Sequence, residues 1–202
     1  MIRLLSLLLV ISFSTFNLQA QDTRYQVGVG TGAITTTDLV SGLIDIASQE
    51  LINSFSSIWG PNPDVNFRNY SFNPTLALGG EYLFHKRWSL IADYAYNSLS
   101  RDIYTEADYR GFASSTHHSL GIGIKGKYYK TDWVEMYSTF QMGVTFENVR
   151  YQVDDESARY SWSYFNLHTT LYGLRVGQQL GGSFELGLGY QGIVRVGVDY
   201  RF

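Results

Sequence analysis

The sequence predicts an all-β protein, an eight-stranded antiparallel up-and-down transmembrane β-barrel with a short amphipathic helix in its first long loop. Three observations predict it. Most of the chain alternates apolar and polar residues with the period of two that is typical of β-strands. Charged residues within these runs fall on the polar face. The connections between runs are alternately short and long, as in barrels that cross a membrane.

Composition is consistent with one folded domain. The chain has 202 residues, of which 16% are aromatic, and a formal net charge of -3. So many aromatic residues are untypical of a disordered chain. The chain has no Cys, which excludes a disulfide scaffold, a cysteine-ligated zinc site, a thiol nucleophile and a lipid-modified N-terminal cysteine. The slightly acidic balance argues against nucleic acid as a partner.

The first element is a targeting segment. Arg3 is its single charge, an apolar run extends from Leu4 to Phe16, and Ala20 is a small residue before Gln21. This arrangement is typical of a cleaved secretory signal peptide. The run is shorter than the roughly 20 residues of a membrane-spanning helix, which is the alternative. We therefore expect residues 1–20 to be a signal peptide and residues 21–202 to be an outer-membrane β-barrel domain.

Eight predicted strands follow in chain order, seven of them recognised by apolar residues at alternate positions. These residues are Tyr25, Val27 and Val29 in the first strand; Leu76, Leu78, Tyr82 and Phe84 in the second; Trp88, Leu90, Ala92, Tyr94 and Tyr96 in the third; Leu120, Ile122, Ile124 and Tyr128 in the fourth; Val134, Met136, Phe140, Met142, Val144 and Phe146 in the fifth; Phe184, Leu186, Leu188 and Tyr190 in the seventh; and Val194, Val196, Val198, Tyr200 and Phe202 in the eighth. The sixth strand, from about Tyr164 to Gly177, is less regular. Its change of phase near Thr169 and Thr170 suggests a β-bulge.

Charges in the predicted strands lie opposite the apolar residues. Ten such charges lie outside the sixth strand and Arg175 is an eleventh candidate within it; the set is Glu81, Asp93, Lys125, Lys127, Glu135, Glu147, Arg175, Glu185, Arg195, Asp199 and Arg201. Hydrocarbon would exclude charge from the apolar face, since Lys or Arg there costs roughly 2–4 kcal/mol at the midplane. An eight-stranded interior is just wide enough to be filled by side chains. We expect these charges to form an ion-pair network that closes the lumen.

The lengths of the connections distinguish the two ends of the predicted barrel. Short turns lie at 85–87, 130–132 and 178–180, and longer connections at 33–71, 106–115 and 154–158; the last connection, near Gln191, is tight. Aromatic residues gather near the strand ends, as in the two girdles that flank a membrane. The predicted membrane-interface aromatics are Tyr82, Phe84, Trp88, Tyr128 and Trp133 near the short turns and Trp162 near the long connections. Glycines on the polar face would leave room in a narrow lumen.

The first long connection has the only helical pattern of the mature chain. Apolar residues recur every three or four positions from Val40 to Ile58, Thr37 is a plausible N-cap, and Gly60 and Pro61 end the pattern. The polar face lacks Lys and Arg, which argues against a basic helix on a membrane surface. The alternatives are a helix packed on its own barrel and a helix that binds a partner.

The one catalytic candidate is the segment Ser115 to Ser119. His117 and Ser119 share a face, and Glu106, Asp108 or Glu147 could orient the imidazole. Lipid A deacylases and palmitoyltransferases with eight strands have a His and a Ser near the outer rim. No nucleophile motif is present, so we expect no catalytic residue. A metal site at His117 and His118 is not expected either, because neighbours on a strand point to opposite faces.

The end of the chain resembles a known family. The segments 185–193 and 198–202, with Tyr200 and Phe202 as a terminal aromatic pair, are similar to the C-terminal ends of small outer-membrane β-barrel domain proteins of Gram-negative bacteria, which include porin-like and OmpA-like barrels. The resemblance implies an outer-membrane barrel whose terminal residues Tyr200 and Phe202 are an assembly signal for the barrel-assembly machinery. It implies no particular activity.

The function expected from the sequence is a structural or surface-interaction role in the outer membrane, without a cofactor. The alternatives are a narrow channel for small solutes and a lipid-modifying enzyme at the outer rim. The expected partners are outer-membrane lipid, lipopolysaccharide and the assembly machinery. The sequence does not identify an extracellular or envelope partner.

Overall fold

The structure is a computed structural model that describes residues 24–36, 38, 65–105, 108–153 and 156–202. Within these ranges the chain is almost entirely β-structure. The expected signal peptide lies outside the described residues. No helix of the described residues is long and apolar enough to cross a membrane.

Nine strands account for the described chain. They are β1 (Tyr25–Ala33), β2 (Val65–Phe72), β3 (Thr75–His85), β4 (Trp88–Thr105), β5 (Asp108–Lys130), β6 (Val134–Val153), β7 (Glu156–Gly177), β8 (Leu180–Gly189) and β9 (Val194–Arg201). All described pairings are antiparallel.

The strands close into a ring of eight positions. Around the ring the order is β1, β3, β4, β5, β6, β7, β8, β9, and β9 pairs again with β1. β2 is not a ninth position, because it pairs with the second half of β4 while β3 pairs with the first half. β2 and β3 together therefore form one interrupted strand beside β4. The predicted eight-stranded antiparallel barrel is confirmed.

The wall of the barrel is high on one side and low on the other. β4 to β7 contain 18 to 23 residues each, whereas β1, β8 and β9 contain 8 to 10. Residues 156–167 of β7 pair with β6 but with no other described strand. The predicted long connections at 106–115 and 154–158 are wrong, because most of their residues belong to β5 and β7. In the upper parts of these strands the outward residues are largely polar, whereas Val149, Tyr160 and Trp162 lie on the inward face. The outward apolar alternation therefore does not reveal these extensions.

The two faces of the ring differ in chemistry. Large apolar side chains point outward and are solvent-exposed, for example Leu78 at 58% and Ile122 at 57%. Polar and charged side chains point inward and are buried, among them Lys125 and Glu135. This is the reverse of a water-soluble protein, in which apolar side chains fill the interior. The apolar strand residues therefore cover the outside of the barrel.

A β-bulge interrupts β7 as the irregular pattern predicted. The register with β6 shifts between Tyr137, which pairs with Gly173, and Thr139, which pairs with Thr170. The register with β8 shifts between Thr170 and Tyr172. A bulge places two residues of one strand opposite one residue of its partner. The extra residue in β7 therefore lets the side chains on both sides of the shift keep the inward and outward directions of the neighbouring strands. Arg175 consequently points inward.

The first connection begins with a capping box inside the barrel mouth. The Thr35 backbone N–H donates to Asp38 Oδ2 at 2.8 Å, and the Asp38 N–H donates to Thr35 Oγ1 at 3.1 Å. This reciprocal pair has the form of a capping box in which Thr35 occupies the N-cap position. The predicted N-cap Thr37 and the predicted helix from Val40 to Ile58 lie outside the described residues.

Candidate functional site: the charged interior of the barrel

All eleven charged residues singled out in the sequence lie on the inward faces of their strands. Eight of them are buried, and Asp93, Arg195 and Arg201 are half-buried. Each lies in phase with the inward residues of the strand next to it, as the pairs Glu135 with Arg175 and Glu185 with Arg195 show. The structure divides them into groups at different heights.

Glu81 is the centre of the group nearest the short turns. Its Oε2 lies 2.8 Å from Lys125 Nζ and its Oε1 lies 2.6 Å from Lys127 Nζ. The Ser89 hydroxyl donates to the same carboxylate at 2.7 Å. The three charged side chains are almost fully buried. One carboxylate thus holds two ammonium groups across three strands.

Glu135 extends this group to the rim. Arg201 donates to its Oε2, Lys127 Nζ lies 3.7 Å from the same oxygen, and Lys130 Nζ lies 3.9 Å from its Oε1 at the open end. The Arg201 Nε also donates to the Gln26 side chain at 2.8 Å. These contacts join the neighbouring strands β9 and β1 to β5 and β6 across the ring.

Arg175 fastens the turn between β7 and β8. Its guanidinium makes two contacts with Asp199 Oδ1, at 2.7 and 2.6 Å. It also donates to the carbonyl oxygens of Gly177, Gln178 and Gln179. All three guanidinium nitrogens therefore have partners in one ion pair and one turn, as a charged side chain that is 1% exposed requires.

Glu185 and Arg195 form the middle group. The Arg195 guanidinium donates to Glu185 Oε2 at 3.0 Å, and the Tyr137 hydroxyl donates to Glu185 Oε1 at 2.6 Å. Arg195 also donates to the Gln191 side chain at 2.7 Å. The aromatic ring of Tyr137 lies under Lys125, whose ammonium is 3.8 Å from the ring centroid. This contact links the middle group to Glu81.

The turn between β8 and β9 folds into the barrel. Its residues Tyr190 and Gln191 are buried at 1% and 0% exposure. The Tyr190 hydroxyl lies 2.8 Å from Asp93 Oδ1 and 2.9 Å from Gln141 Oε1, and the Gln191 amide donates to the same Gln141 oxygen at 2.9 Å. Gly192 has a backbone φ of 110°, which residues other than glycine rarely adopt. The expectation that Tyr190 lies on the apolar outer face is wrong, because β8 ends at Gly189 and the chain turns inward.

A small cavity remains below this turn. It has a volume of about 70 Å³ and is lined by Asp93, Tyr137, Gln141, Glu185 and Arg195 among others. At 10–15 Å³ each it has room for roughly five water molecules. Its walls offer carboxylate, amide, hydroxyl and guanidinium groups, so buried water would find hydrogen-bond partners there.

Buried polar side chains, many of them neutral, lie in the interior above the turn. The hydroxyls of Ser119 and Thr145 lie 2.7 Å apart, and the Asn166 amide donates to Thr145 at 3.1 Å. The Asn97 amide donates to Asp38 Oδ1 at 2.8 Å and to Thr35 Oγ1 at 3.2 Å. The capping box of the first connection is therefore fastened to the inside of β4.

The catalytic candidates face this interior and are not assembled for nucleophilic catalysis. His117 Nε2 lies 3.2 Å from Glu147 Oε1, so the structure brings this acid to the imidazole. Ser119 instead contacts Thr145, and His117 is 0% exposed. A reacting lipid at the outer rim could not reach it. Glu106 lies outside the described residues, and Asp108 is exposed at the start of β5.

His117 and His118 lie on opposite faces, as expected for neighbours on a strand. His118 points outward, where its Nδ1 lies 2.8 Å from the Tyr94 hydroxyl and its ring 5.2 Å from the Tyr96 ring. Among the described residues no group of three or more His, Cys, Asp or Glu side chains could hold a metal ion.

Four of the six predicted interface aromatics point outward near the short turns; they are Tyr82, Phe84, Trp88 and Tyr128, which are 37% to 57% exposed. Trp133 lies in the turn before β6 and is 60% exposed. Trp162 is different, and its assignment as an interface aromatic is wrong. It pairs with the inward-facing Glu147, and directly paired residues point to the same face of a sheet. Trp162 therefore lies on the inner face of the high wall.

The predicted assembly residues lie at the seam where β9 meets β1. Tyr200 pairs with Val27 and Leu180. Phe202 exchanges two backbone hydrogen bonds with Tyr25 and stacks on its ring, with centroids 6.0 Å apart. Their role in assembly stays a prediction.

Several interior residues were not predicted as members of the charged network. Tyr137, Gln141, Tyr190, Gln191, Asn97 and Arg101 contribute to the interior polar contacts or are buried there. Alternation from Glu135 places Gln141 on the polar face, and continued strictly it also places Tyr137 there. Asn97 likewise follows in phase from Asp93. No sequence signal predicts that the turn holding Tyr190 and Gln191 folds inward.

No family model and no curated protein matches the chain. Among solved structures, the chain is similar to Ail, the attachment invasion locus protein of Yersinia pestis, with 13% identity and a TM-score of 0.48 over 90% of this chain and 100% of that chain. The structure of Ail in complex with the heparin analogue sucrose octasulfate matches over the same shares with 12% identity and a TM-score of 0.45.

Proposed function

We propose that this protein is an integral outer-membrane β-barrel with a structural or surface-interaction role and a lumen closed by ion pairs. The observation that carries the proposal is the distribution of side chains over a closed ring. Apolar residues such as Leu78, Ile122 and Val198 cover the outside, while charged residues fill the inside.

Hydrocarbon suits this arrangement better than water. Monomeric soluble proteins rarely expose contiguous apolar patches beyond a few hundred Å², yet here the exposed apolar residues follow one another around the ring. Within a bilayer every backbone group needs a partner inside the protein, and a closed barrel supplies one. From Tyr128 to His118 on β5 the outward band spans ten residues, or about 25 Å for strands tilted by about 40°. That height matches the apolar band of outer-membrane barrels.

The interior favours a structural role over transport. Six ion pairs between buried or half-buried side chains join the strands inside the lumen, at Glu81, Glu135, Glu185 and Asp199, and the turn at Tyr190 and Gln191 lies across the space above them. The remaining cavity of about 70 Å³ is large enough for a few water molecules only.

The high wall supports a surface role. β5 continues for ten residues beyond His118 to Asp108, so the wall projects roughly 25 Å beyond the apolar band at the same tilt. β4, β6 and β7 extend with it. A sheet of this length above a membrane offers a rigid surface for contact outside the cell.

Reconstitution into planar lipid bilayers tests both parts of the proposal. We expect the purified chain to require detergent and to enter the bilayer without stable conductance steps, because charged pairs and the inward turn fill the lumen. Nanosiemens-scale steps would contradict the closed lumen and favour the channel. A chain that stays dissolved and monomeric without detergent would contradict the membrane location itself.

A further inference from the structure

Two arginines face each other on the outer side of the high wall. Arg150 of β6 and Arg159 of β7 are direct cross-strand partners, and both are exposed. They lie in phase with Phe146 and Phe165, which point outward, so both guanidinium groups leave from the outer surface of the barrel. We call them the arginine pair.

The arginine pair has no anionic partner within the described part of the chain. Neither guanidinium lies within ion-pair distance of a carboxylate there. The described outward neighbours are neutral: Ser114, Asn148, Gln152, Ser157 and Ser161. Like charges directly opposite each other on a sheet are destabilising. The sheet therefore carries two adjacent positive charges that nothing described on this face balances.

The height of the arginine pair above the apolar band indicates which anionic groups could balance its two positive charges. Arg150 lies four residues beyond Phe146, the last large apolar residue of the band on β6. Four residues correspond to about 10 Å along the membrane normal for a strand tilted by about 40°. Arginine side chains can reach back from there to the headgroup layer. The pair is thus within reach of the headgroups of the lipid leaflet that surrounds the high wall.

The surface between the band and the pair suits a sugar. Ser163, Ser161, Asn148 and Thr116 are its outward residues, and the Ser161 hydroxyl donates to Asn148 Oδ1 at 2.7 Å. These side chains donate and accept hydrogen bonds but carry no charge. A headgroup that has hydroxyls near its acyl chains and also carries a phosphate matches this surface. The uncharged polar strip would face the hydroxyls, and the two arginines beyond it would face the phosphate.

We infer that Arg150 and Arg159 together bind a phosphate of a phosphorylated glycolipid headgroup in the leaflet around the high wall. The inference rests on the proposed membrane location. Guanidinium groups bind phosphate through charge-assisted, often bidentate hydrogen bonds, and paired residues have Cβ atoms about 5 Å apart, so one phosphate can accept from both. The bound anion removes the repulsion between the two arginines.

Binding of diphosphoryl lipid A to the full chain in zwitterionic micelles tests the inference. Each basic residue near a membrane surface contributes about 1 kcal/mol, which is about fivefold in affinity. We expect Arg150→Gln and Arg159→Gln to weaken binding about fivefold each and about 25-fold together. Arg87→Gln is the matched control, because Arg87 is exposed in the short turn at the other end of the barrel. It should leave the affinity unchanged.

Arg159→Glu separates a binding role from a structural one. The variant places Glu opposite Arg150, and opposite charges in that position stabilise a sheet. We expect a barrel at least as stable as the wild type that binds diphosphoryl lipid A more weakly than Arg159→Gln does. Undiminished affinity in this variant would overturn the inference.

Two further probes identify the source of the phosphate. Lipid A from which both phosphates have been removed should bind at least 25-fold more weakly than the diphosphoryl form. Inorganic phosphate should compete only at millimolar concentrations; equal binding of phosphate and lipid would overturn the glycolipid assignment. Wild-type affinity in the double Gln variant would overturn the whole inference while the chain remains inserted. Failure to enter micelles would instead contradict the proposed membrane location.

Discussion

Glu81 shows how single residues hold charge inside the barrel. Its two carboxylate oxygens contact Lys125, Lys127 and Ser89 within 2.8 Å. A buried pair of this kind adds little net stability, since desolvation offsets the attraction between the charges. Removing one partner is costly because the other charges stay buried without compensation. The ion pairs therefore disfavour any arrangement of strands that separates their partners inside the barrel.

At this scale we expect Glu81→Ala to lower the free energy of unfolding by about 3–5 kcal/mol, because two ammonium groups lose their counter-charge. Urea unfolding of the inserted barrel measures it. Glu156→Ala, at the exposed start of β7, should change stability by no more than about 0.5 kcal/mol. Equal losses in the two variants would contradict the account.

An apolar replacement of the whole group provides a second comparison. Glu81→Leu combined with Lys125→Met and Lys127→Met removes all three charges together. It should be more stable than Glu81→Ala alone, since no buried charge then lacks a partner.

The alternation of the strands predicted most of the residues on each face, because a strand with one face in hydrocarbon cannot shift its register without moving charge into that face. It failed where the outward face is no longer apolar. Connections were predicted at 106–115 and 154–158, but residues 108–115 belong to β5 and residues 156–158 belong to β7. Trp162 was placed on the wrong face for the same reason, because only its pairing with Glu147 determines its direction.

The turn between β8 and β9 is the element that the sequence could not place. A tight turn near Gln191 is readable from the sequence, but its inward direction depends on contacts with Asp93 and Gln141, which are distant along the chain. Gly121 is the residue that makes room for it, since a Cβ there would overlap the Tyr190 hydroxyl.

We expect Gly121→Ala to displace Tyr190 and to lower the free energy of unfolding by about 1–3 kcal/mol, the usual cost of overpacking. Gly79→Ala is the matched control, because its Cβ would have ordinary contacts, the nearest at 3.5 Å from Asp93. That variant should be neutral or more stable by about 0.5–1 kcal/mol, since Gly is unfavourable within strands. Chemical denaturation and the NMR signals of the Tyr190 ring measure the two effects, and identical behaviour would contradict the role assigned to the turn.

As a whole molecule the chain is a ring whose polarity is inverted relative to a soluble protein. Its exterior is apolar over a band about 25 Å high, its interior is charged, and one side of its wall extends beyond the band. The proposed location, the closed lumen and the arginine pair all depend on one claim, which is that lipid surrounds the band.

Substitution by Arg at two outward positions of β5 tests that claim most directly. Ile122 lies within the apolar band, whereas Thr116 lies outward beyond His118 on the same strand and face. For a barrel folded in lipid vesicles we expect Ile122→Arg to lower the free energy of unfolding by about 2–4 kcal/mol and Thr116→Arg by about 0–1 kcal/mol. Equal small costs at both positions would show that water, not hydrocarbon, surrounds Ile122, and would contradict the account.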